Sequence, residues 1–152
     1  MNKKDLFVCW ANCQRSQVAE AFSKNIWKKT ISCASVEDKK EKYFHKPEKI
    51  ITRLVEENFD IDISNQKILY PNDILSEIKN IDKIYFLYNP KDAREPDSKL
   101  LVNWMSFWEY LDSIWKKYEI HEIKEPDEDI NSEDSMLEII YDIDKLVKKL
   151  YK

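Results

Sequence analysis

The segment from Leu6 to Glu20, LFVCWANCQRSQVAE, constrains the fold more than any other part of the chain. A short apolar run predicts a strand, a six-residue turn follows from Cys9 to Gln14, and a helical pattern opens at Arg15 and Ser16. Such a unit suits a tetrahedral oxyanion, because loop N–H groups, the positive end of the helix and an arginine fork converge on one point. The same field favours the thiolate form of Cys9, which predicts a nucleophile.

The same segment resembles the active-site signature of the low-molecular-weight protein tyrosine phosphatases and of the thioredoxin-coupled arsenate reductases that share their fold. That signature is roughly V-C-x-G-N-x-C-R-S-x-x-A-E-A. The residues that match it are Val8, Cys9, Asn12, Arg15, Ser16, Ala19, Glu20 and Ala21. A bare C-x5-R would be weak, but the strand before it and the serine and A-E-A after it make the match specific. A second patch, Phe59 to Ser64, resembles the family segment E-x-G-I-D-I-S.

The resemblance implies a role for each residue of this loop. Cys9 is expected to attack phosphorus, and Arg15 and the loop amides to stabilise the equatorial oxygens. Ser16 is expected to donate a hydrogen bond to the Cys9 thiolate, and Trp10 to form an apolar wall beside the substrate ring. The residues expected to contact substrate are Trp10, Ala11, Asn12, Cys13, Gln14 and Ser16. The chemistry requires no cofactor, and two histidines without a C-x-x-C pair give no support for a metal site.

The phosphatases place a general acid in an Asp-Pro pair near the end of the chain. This sequence has Glu125 in the aspartate position before Pro126, and Asp127 directly after that proline. Either carboxylate is a candidate acid if burial and acidic neighbours favour its protonated form. The alternative is a solvated acidic turn without a catalytic role.

Three departures from the family pattern bear on activity. Ala11 replaces a glycine, Gln14 replaces the second cysteine of the signature, and the Asp-Pro pair is altered. Cys13 lies one position before the missing cysteine, and a protective disulfide with Cys9 is one reading of it. No cysteine follows Cys33, which counts against the disulfide relay of the thioredoxin-coupled reductases.

Strand and helix patterns alternate along the rest of the chain, which predicts one doubly wound α/β domain over residues 1–152 with its ligand at the carboxyl ends of the strands. The resemblance specifies a flavodoxin-like sheet of four parallel strands with helices on both faces. The predicted elements are helices at Ser16–Lys28, Pro47–Asn58, Lys99–Lys117 and Asn131–Tyr151, and further strands at Thr30–Ala34, Asp82–Tyr88 and Tyr118–Lys124.

Composition limits the classes of partner. A net charge of −4 argues against a nucleic-acid partner, and no apolar run approaches the ~20 residues of a membrane span, so no membrane partner is expected. Three cysteines and the lack of a signal-peptide pattern predict a cytoplasmic protein. Glycine is absent, so every position with positive φ falls to Asn, Asp or a strained residue.

Several positions keep two interpretations. Ser32 and Ser35 are both candidates for the family serine that bonds the loop, and the alternative for Ser32 is a strand residue without such a role. Tyr43 and Phe44, in the charged loop from Val36 to Lys46, either flank an aromatic substrate or fold back onto the body. The tryptophans of the Lys99–Lys117 helix either cover the sheet or form the face of a homodimer.

The sequence therefore favours a cysteine-dependent phosphatase that acts on a phosphorylated protein or a small phosphomonoester, with phosphotyrosine as the leading substrate. One alternative is a thiol-dependent arsenate reductase, which needs only Cys9 and the anion loop. The other is a pseudophosphatase, a module that binds a phosphorylated partner without turnover.

Overall fold

The computed structural model describes residues 3–10, 14–35, 48–91, 105–124 and 133–152. Strands and helices alternate through these segments, as the sequence predicts. In chain order they are β1 (Lys4–Cys9), α1 (Arg15–Asn25), β2 (Thr30–Ala34), α2 (Lys49–Phe59), α3 (Pro71–Ile74), a 3-10 helix (Leu75–Asn80), β3 (Ile81–Phe86), α4 (Phe107–Ser113), β4 (Glu119–Ile120) and α5 (Glu133–Leu150).

The four strands form one parallel sheet in the order β2-β1-β3-β4. This confirms the predicted flavodoxin-like arrangement. β1 lies in the centre, where Cys9 pairs with Ala34 of β2 and Val8 pairs with Phe86 of β3. The carboxyl ends of the strands therefore meet at one edge of the sheet, and Cys9 is the last residue of β1 at that edge.

The sheet is covered on both faces, which explains why β1 reads as a continuous apolar run rather than an alternating one. Phe7 points into a core built with α1, α2 and α5. Leu6 and Val8 point into a second core, which includes Phe107 and Leu111 of α4. All three β1 side chains are fully buried, and a buried side chain of this size contributes about 1.5–3 kcal/mol.

Three predicted elements are shorter than the sequence suggests. The first helix, predicted to run to Lys28, ends at Asn25. The predicted helix from Lys99 to Lys117 is helical in the described residues only over Phe107–Ser113, because Ser106 and Glu109 form a capping box that starts α4 there. Leu100, Leu101 and Trp104 lie outside the described residues. The predicted strand Tyr118–Lys124 is assigned only at Glu119–Ile120, although the N–H groups of His121 and Ile123 still donate to Phe86 and Leu87.

Positive φ angles fall on three of the described residues: Trp27 (67°), Asp60 (56°) and Trp115 (60°). Asp60 caps α2 in a left-handed conformation, so this helix runs one residue beyond its predicted end at Asn58. Asn58 instead bonds back to the carbonyl of Leu54 inside the helix. In the described residues, the left-handed positions of this glycine-free chain are thus held by one aspartate and two tryptophans.

Both tryptophans complete the same type of helix end. The N–H of Trp27 donates to Lys24, and the N–H of Lys28 donates to Ser23, at 3.0 Å each. After α4 the equivalent bonds run from Trp115 to Asp112 and from Lys116 to Leu111, at 3.1 and 2.9 Å. This pair of bonds is the Schellman motif, whose left-handed position is most often glycine.

None of the described helices is long and apolar enough to cross a bilayer. The longest, α5, runs from Glu133 to Leu150 and carries charged residues along its length. Its buried side is one stripe that packs against the first core.

We predict that Trp27→Gly and Trp115→Gly each stabilise the protein, by up to about 1 kcal/mol, because glycine adopts the left-handed conformation without the steric cost of a Cβ. The indoles are 94% and 91% exposed, so their removal forfeits little burial. Urea unfolding followed by circular dichroism measures the change.

The matched control is Glu56→Gly, at an exposed position inside α2, where glycine should cost about 1 kcal/mol. Destabilisation by the two tryptophan variants as large as that of the control would contradict the assignment of strain to these positions.

Candidate active site

Cys9 lies at the end of the central strand, with 3% of its surface exposed. Its Sγ atom is 2.9 Å from Oγ of Ser16, in the first turn of α1. The hydroxyl group of Ser16 is itself fully buried. The structure thus brings the predicted nucleophile and the predicted hydrogen-bond donor to its sulfur into direct contact.

Arg15 is also buried, with 5% exposure, and is held by the two segments that lie beyond the end of the sheet. Its Nη1 donates to the carbonyl of Ile123 at 2.9 Å and to the carbonyl of Leu87 at 3.5 Å. Its guanidinium carbon lies 5.9 Å from the centre of the Tyr88 ring, within cation–π distance. These contacts place a permanent positive charge at the carboxyl edge of the sheet, next to Ser16 in the chain.

Two further residues of the predicted loop have defined positions. Trp10 directly follows the cysteine and is 37% exposed. Gln14 precedes α1, where its carbonyl accepts from the N–H of Val18 at 3.1 Å. Its side-chain amide donates to Glu48 at 2.7 Å, so this side chain connects the loop to the start of α2.

The remaining predicted site residues lie outside the described part of the chain. They are Ala11, Asn12 and Cys13 of the loop, the two candidate acids Glu125 and Asp127, and the aromatic residues Tyr43 and Phe44. Their contributions stay predictions. The described residues that adjoin them are Trp10, Gln14 and Lys124.

The structure distinguishes the two serines of β2 and its end. The N–H of Ser35 donates to the carbonyls of Cys9 and Trp10, at 2.9 and 3.2 Å. Ser32 instead donates to the buried carboxylate of Glu20 at 2.8 Å, and Lys24 binds the other oxygen of that carboxylate at 2.7 Å. Ser35 is therefore the residue that meets the start of the loop, while Ser32 joins β2 to α1.

Tyr88 belongs to the site, and sequence reasoning treated it only as part of a strand. Its hydroxyl forms a hydrogen bond with the Ser35 side chain, and its ring lies beside Arg15. Burial raises the pKa of Tyr88 to about 12, and the nearby Cys9 adds to the rise, while the bond to Ser35 and the charge of Arg15 lower it in part. Its place just after β3, at the carboxyl edge where ligands of parallel sheets bind, was the available signal.

Cys33 is not part of this cluster, because its side chain lies on the other face of the sheet. It pairs with Val8 in the sheet and is fully buried with Val8 in the second core. Val8 and Cys9 are consecutive in β1, so their side chains point to opposite faces. Cys33 therefore packs as a small apolar residue on the face away from Cys9. Among the described residues, no group of three or more potential metal ligands converges.

No protein-family model and no curated protein matches the chain. Solved structures do match it over nearly its whole length. An arsenate reductase in the phosphate-binding state has a TM-score of 0.66 and 22% identity, with coverage of 97% of this chain and 95% of that one. Vibrio vulnificus Wzb in complex with benzylphosphonate has a TM-score of 0.72 and 15% identity, with coverage of 99% and 97%. A low-molecular-weight protein tyrosine phosphatase from T. tengcongensis has a TM-score of 0.66 and 16% identity, with coverage of 98% and 97%.

These neighbours are of the two kinds that the loop signature resembles. At such sequence identities the similarity establishes a shared backbone fold and does not establish a shared reaction. The chain therefore has the fold of the low-molecular-weight protein tyrosine phosphatases and arsenate reductases.

Proposed function

We propose that the protein is a cysteine-dependent phosphatase that hydrolyses phosphomonoesters, with phosphotyrosine in a protein as the leading substrate. The observation that carries the proposal is the contact between Cys9 and Ser16, 2.9 Å apart at the carboxyl edge of the sheet, with Arg15, the residue before Ser16, buried at the same edge. This is the arrangement needed to hold a thiolate next to an anionic phosphoryl group.

In the first step the Cys9 thiolate attacks phosphorus in line, an S–P bond forms, and the bond to the leaving oxygen breaks. Ser16 donates its hydroxyl hydrogen to the thiolate before attack. Arg15 and the amides of residues 10–16 stabilise the charge on the equatorial oxygens. The hydrogen bonds from Nη1 of Arg15 to the carbonyls of Leu87 and Ile123 support this role, because they fix the plane of the guanidinium group. That group carries five N–H donors in total.

As the bond to the leaving oxygen breaks in this first step, Glu125 or Asp127 protonates that oxygen, so that a neutral phenol leaves. The resulting carboxylate then removes a proton from water, which attacks the phosphocysteine, releases inorganic phosphate and restores the thiolate. Support for this assignment comes from Ile123, two residues before Glu125, whose carbonyl contacts Arg15. Chain connectivity thus joins the acidic segment to the guanidinium contact.

The preference for an aryl phosphate rests on the aromatic residues near the cysteine. Trp10 is adjacent in the chain and partly exposed, and Tyr88 is held beside Arg15 by its bond to Ser35. The complex of Vibrio vulnificus Wzb with benzylphosphonate shows a protein of this fold with an aromatic phosphonate bound. An aromatic ring beside the phosphorus is the substrate feature that such walls favour.

Arsenate reduction with an external thiol is the second candidate, because several structural neighbours are arsenate reductases. A relay within the chain has little support, since Cys33 is buried on the other face of the sheet and Cys13 is the remaining cysteine. An external thiol would have to reduce the Cys9–arsenate adduct and regenerate the enzyme. Dependence of turnover on arsenate and an added thiol separates this reaction from ester hydrolysis.

We expect hydrolysis of an aryl phosphate under reducing conditions by the wild-type protein and none by Cys9→Ser. Arg15→Ala should lower kcat/KM at least ~10³-fold, because it removes the charge that stabilises the transition state. Phosphate release from para-nitrophenyl phosphate is the measurement, and orthovanadate should inhibit it.

The matched controls are Cys33→Ala, which removes a buried thiol away from the site, and Arg53→Ala, which removes an exposed guanidinium on α2. Both should keep wild-type turnover. A folded wild-type protein without ester hydrolysis would reject the phosphatase; arsenate reduction by the same preparation would then support the reductase, and phosphate binding alone the pseudophosphatase.

The acid is assigned by Glu125→Gln and Asp127→Asn, with Glu128→Gln as the neighbouring control. Loss of the true acid should lower kcat by about 10²–10⁴-fold for phosphotyrosine, whose leaving group needs a proton. The loss should be much smaller for 2,4-dinitrophenyl phosphate, whose leaving group does not. Equal losses on the two substrates, or none for either variant, would refute general acid catalysis by this segment.

Tyr88→Phe tests the environment of the site through pH. Below about pH 10 the phenol is neutral in both the folded and the unfolded chain, so its ionisation does not change the free energy of unfolding. Between about pH 10 and 12 the unfolded chain loses the proton first, and the free energy of unfolding should fall by about 2–3 kcal/mol. The Phe variant should lack this contribution of Tyr88; burial also raises the pKa values of Tyr85 and Tyr151, whose share of the decrease remains in both proteins.

Urea unfolding at pH values from about 8 to about 11.5 measures the difference between the two proteins. Tyr141→Phe, on the exposed side of α5, controls for the loss of one hydroxyl group. Parallel pH profiles for wild type and Tyr88→Phe would show that this phenol is not buried in the way the structure indicates.

A further inference from the structure

The tetrapeptide Ile-Trp-Lys-Lys occurs twice, at residues 26–29 and 114–117. Each copy follows a helix and forms the same Schellman end, with the tryptophan in the left-handed conformation. This conformation turns both indoles away from the body, and they are 94% and 91% exposed. The isoleucines before them are 39% and 41% exposed. We call the two segments the tryptophan tips.

Both tryptophan tips lie at the amino-terminal edge of the sheet, opposite to Cys9. The first leads into β2, and the carbonyl of Lys29 accepts from the N–H of Asp5, near the start of β1, at 3.0 Å. The second leads into β4, and the ammonium group of Lys116 donates to the carbonyl of Ile81, the first residue of β3. β2 and β4 are the outer strands, so the tips stand about three strand spacings, roughly 14 Å, apart along the edge.

This edge is strongly basic although the whole chain is acidic. The segments that form it contain twelve lysines and three aspartates, a balance of +9; they are residues 3–5, 24–30, 79–83, 112–118 and 148–152. The formal net charge of the chain is −4, so the remaining residues carry −13. All but one of these lysines are exposed. Two of them, Lys24 and Lys148, form ion pairs with Glu20 and Asp144 at 2.7 and 2.9 Å, which leaves a balance of +7 when these two carboxylates are included. The placement of residues 148–152 follows from Tyr151, whose hydroxyl donates to Asp5 at 2.6 Å.

We propose that the amino-terminal edge binds the surface of an anionic lipid bilayer. Tryptophan prefers the interface between headgroups and acyl chains, where its ring is half apolar and its N–H can donate. An adjacent isoleucine adds apolar surface to each tip, and the lysines supply attraction to negatively charged headgroups. Binding of this kind needs two signals, apolar insertion and basic charge, and each tip contains both.

A nucleic acid is the other polyanion that basic and aromatic residues bind, and the geometry favours it less. Single-stranded binding uses aromatic platforms inside a groove that follows the backbone. Here the indoles protrude singly at two separated corners, and each is paired with an isoleucine, which offers no stacking face. Protruding apolar side chains on a basic edge are instead suited to insertion into the surface of a lipid bilayer.

The proposal differs from the expectation that the chain has no membrane partner, which came from the lack of a spanning segment. Contact with the surface requires no such segment. It also does not depend on the proposed enzymatic function, because Cys9 and Arg15 lie at the far edge of the sheet. A docked molecule would present that edge to the aqueous side.

The test is flotation of the full chain with two kinds of vesicle. One kind contains phosphatidylcholine alone, and the other also contains about 30% phosphatidylserine, an anionic lipid. Wild type should float with the anionic vesicles and not with the neutral ones. Binding should weaken at least tenfold from about 0.1 M to about 1 M salt, as the Debye length falls from about 10 Å to about 3 Å.

The decisive variant is the double substitution Trp27→Gly and Trp115→Gly, which removes both indoles while it relieves the left-handed strain, so loss of binding cannot be ascribed to unfolding. It should bind anionic vesicles at least tenfold more weakly, whereas Trp27→Phe with Trp115→Phe should retain most of the binding. Tyr141→Ser, which removes an exposed aromatic ring elsewhere, should bind as wild type does.

Equal flotation of wild type and the double glycine variant would overturn the proposal, as would failure of wild type to bind the anionic vesicles. Binding to single-stranded or duplex oligonucleotides with no binding to vesicles would also overturn it. Hydrolysis of a soluble aryl phosphate by the double glycine variant, measured beside wild type, reports separately on the opposite edge.

Discussion

The buried guanidinium of Arg15 is the constraint on which the carboxyl edge of this structure depends. A charged group that is 5% exposed is costly unless its donors are satisfied. The protein meets this requirement with carbonyls from two separate segments, Leu87 after β3 and Ile123 after β4, and with the ring of Tyr88. One side chain in α1 thereby joins the segments that follow β3 and β4.

Local sequence patterns predicted the parts of the fold that depend on local physics. The apolar run before Cys9 and the helical spacing after Arg15 define β1 and α1, and the β-branched and aromatic residues of β3 identify a buried parallel strand. Cys9, Ser16 and Arg15 were predicted to act together, and two of these three are in direct contact. Such agreement is expected where consecutive residues supply both the structure and the chemistry.

Two kinds of feature were not predicted from the sequence: a contact between residues that are distant in the chain, and the positions at which a helix begins and ends. Nothing in the chain near Ser35 reveals that its hydroxyl meets Tyr88, because that contact is fixed by the register of β2 and β3 on either side of β1. The spacing of apolar residues from Lys99 to Lys117 continues past both ends of α4, but the capping box at Ser106 and the left-handed Trp115 bound the helix. Periodicity detects a face; it does not detect where caps interrupt it.

The lack of glycine has a consequence for the unfolded chain as well as for the folded one. A protein of this length would ordinarily contain about ten glycines. At sites with ordinary backbone angles, replacing a glycine by a residue with a side chain increases the free energy of unfolding by roughly 0.4–1 kcal/mol, because the unfolded chain has fewer accessible conformations. The left-handed residues Trp27, Asp60 and Trp115 cost about 1–2 kcal/mol each in the folded state. The two effects are comparable and opposite in sign. Part of the free energy of unfolding of this protein therefore comes from the restriction of its unfolded chain. That part cannot be identified from contacts in the folded structure.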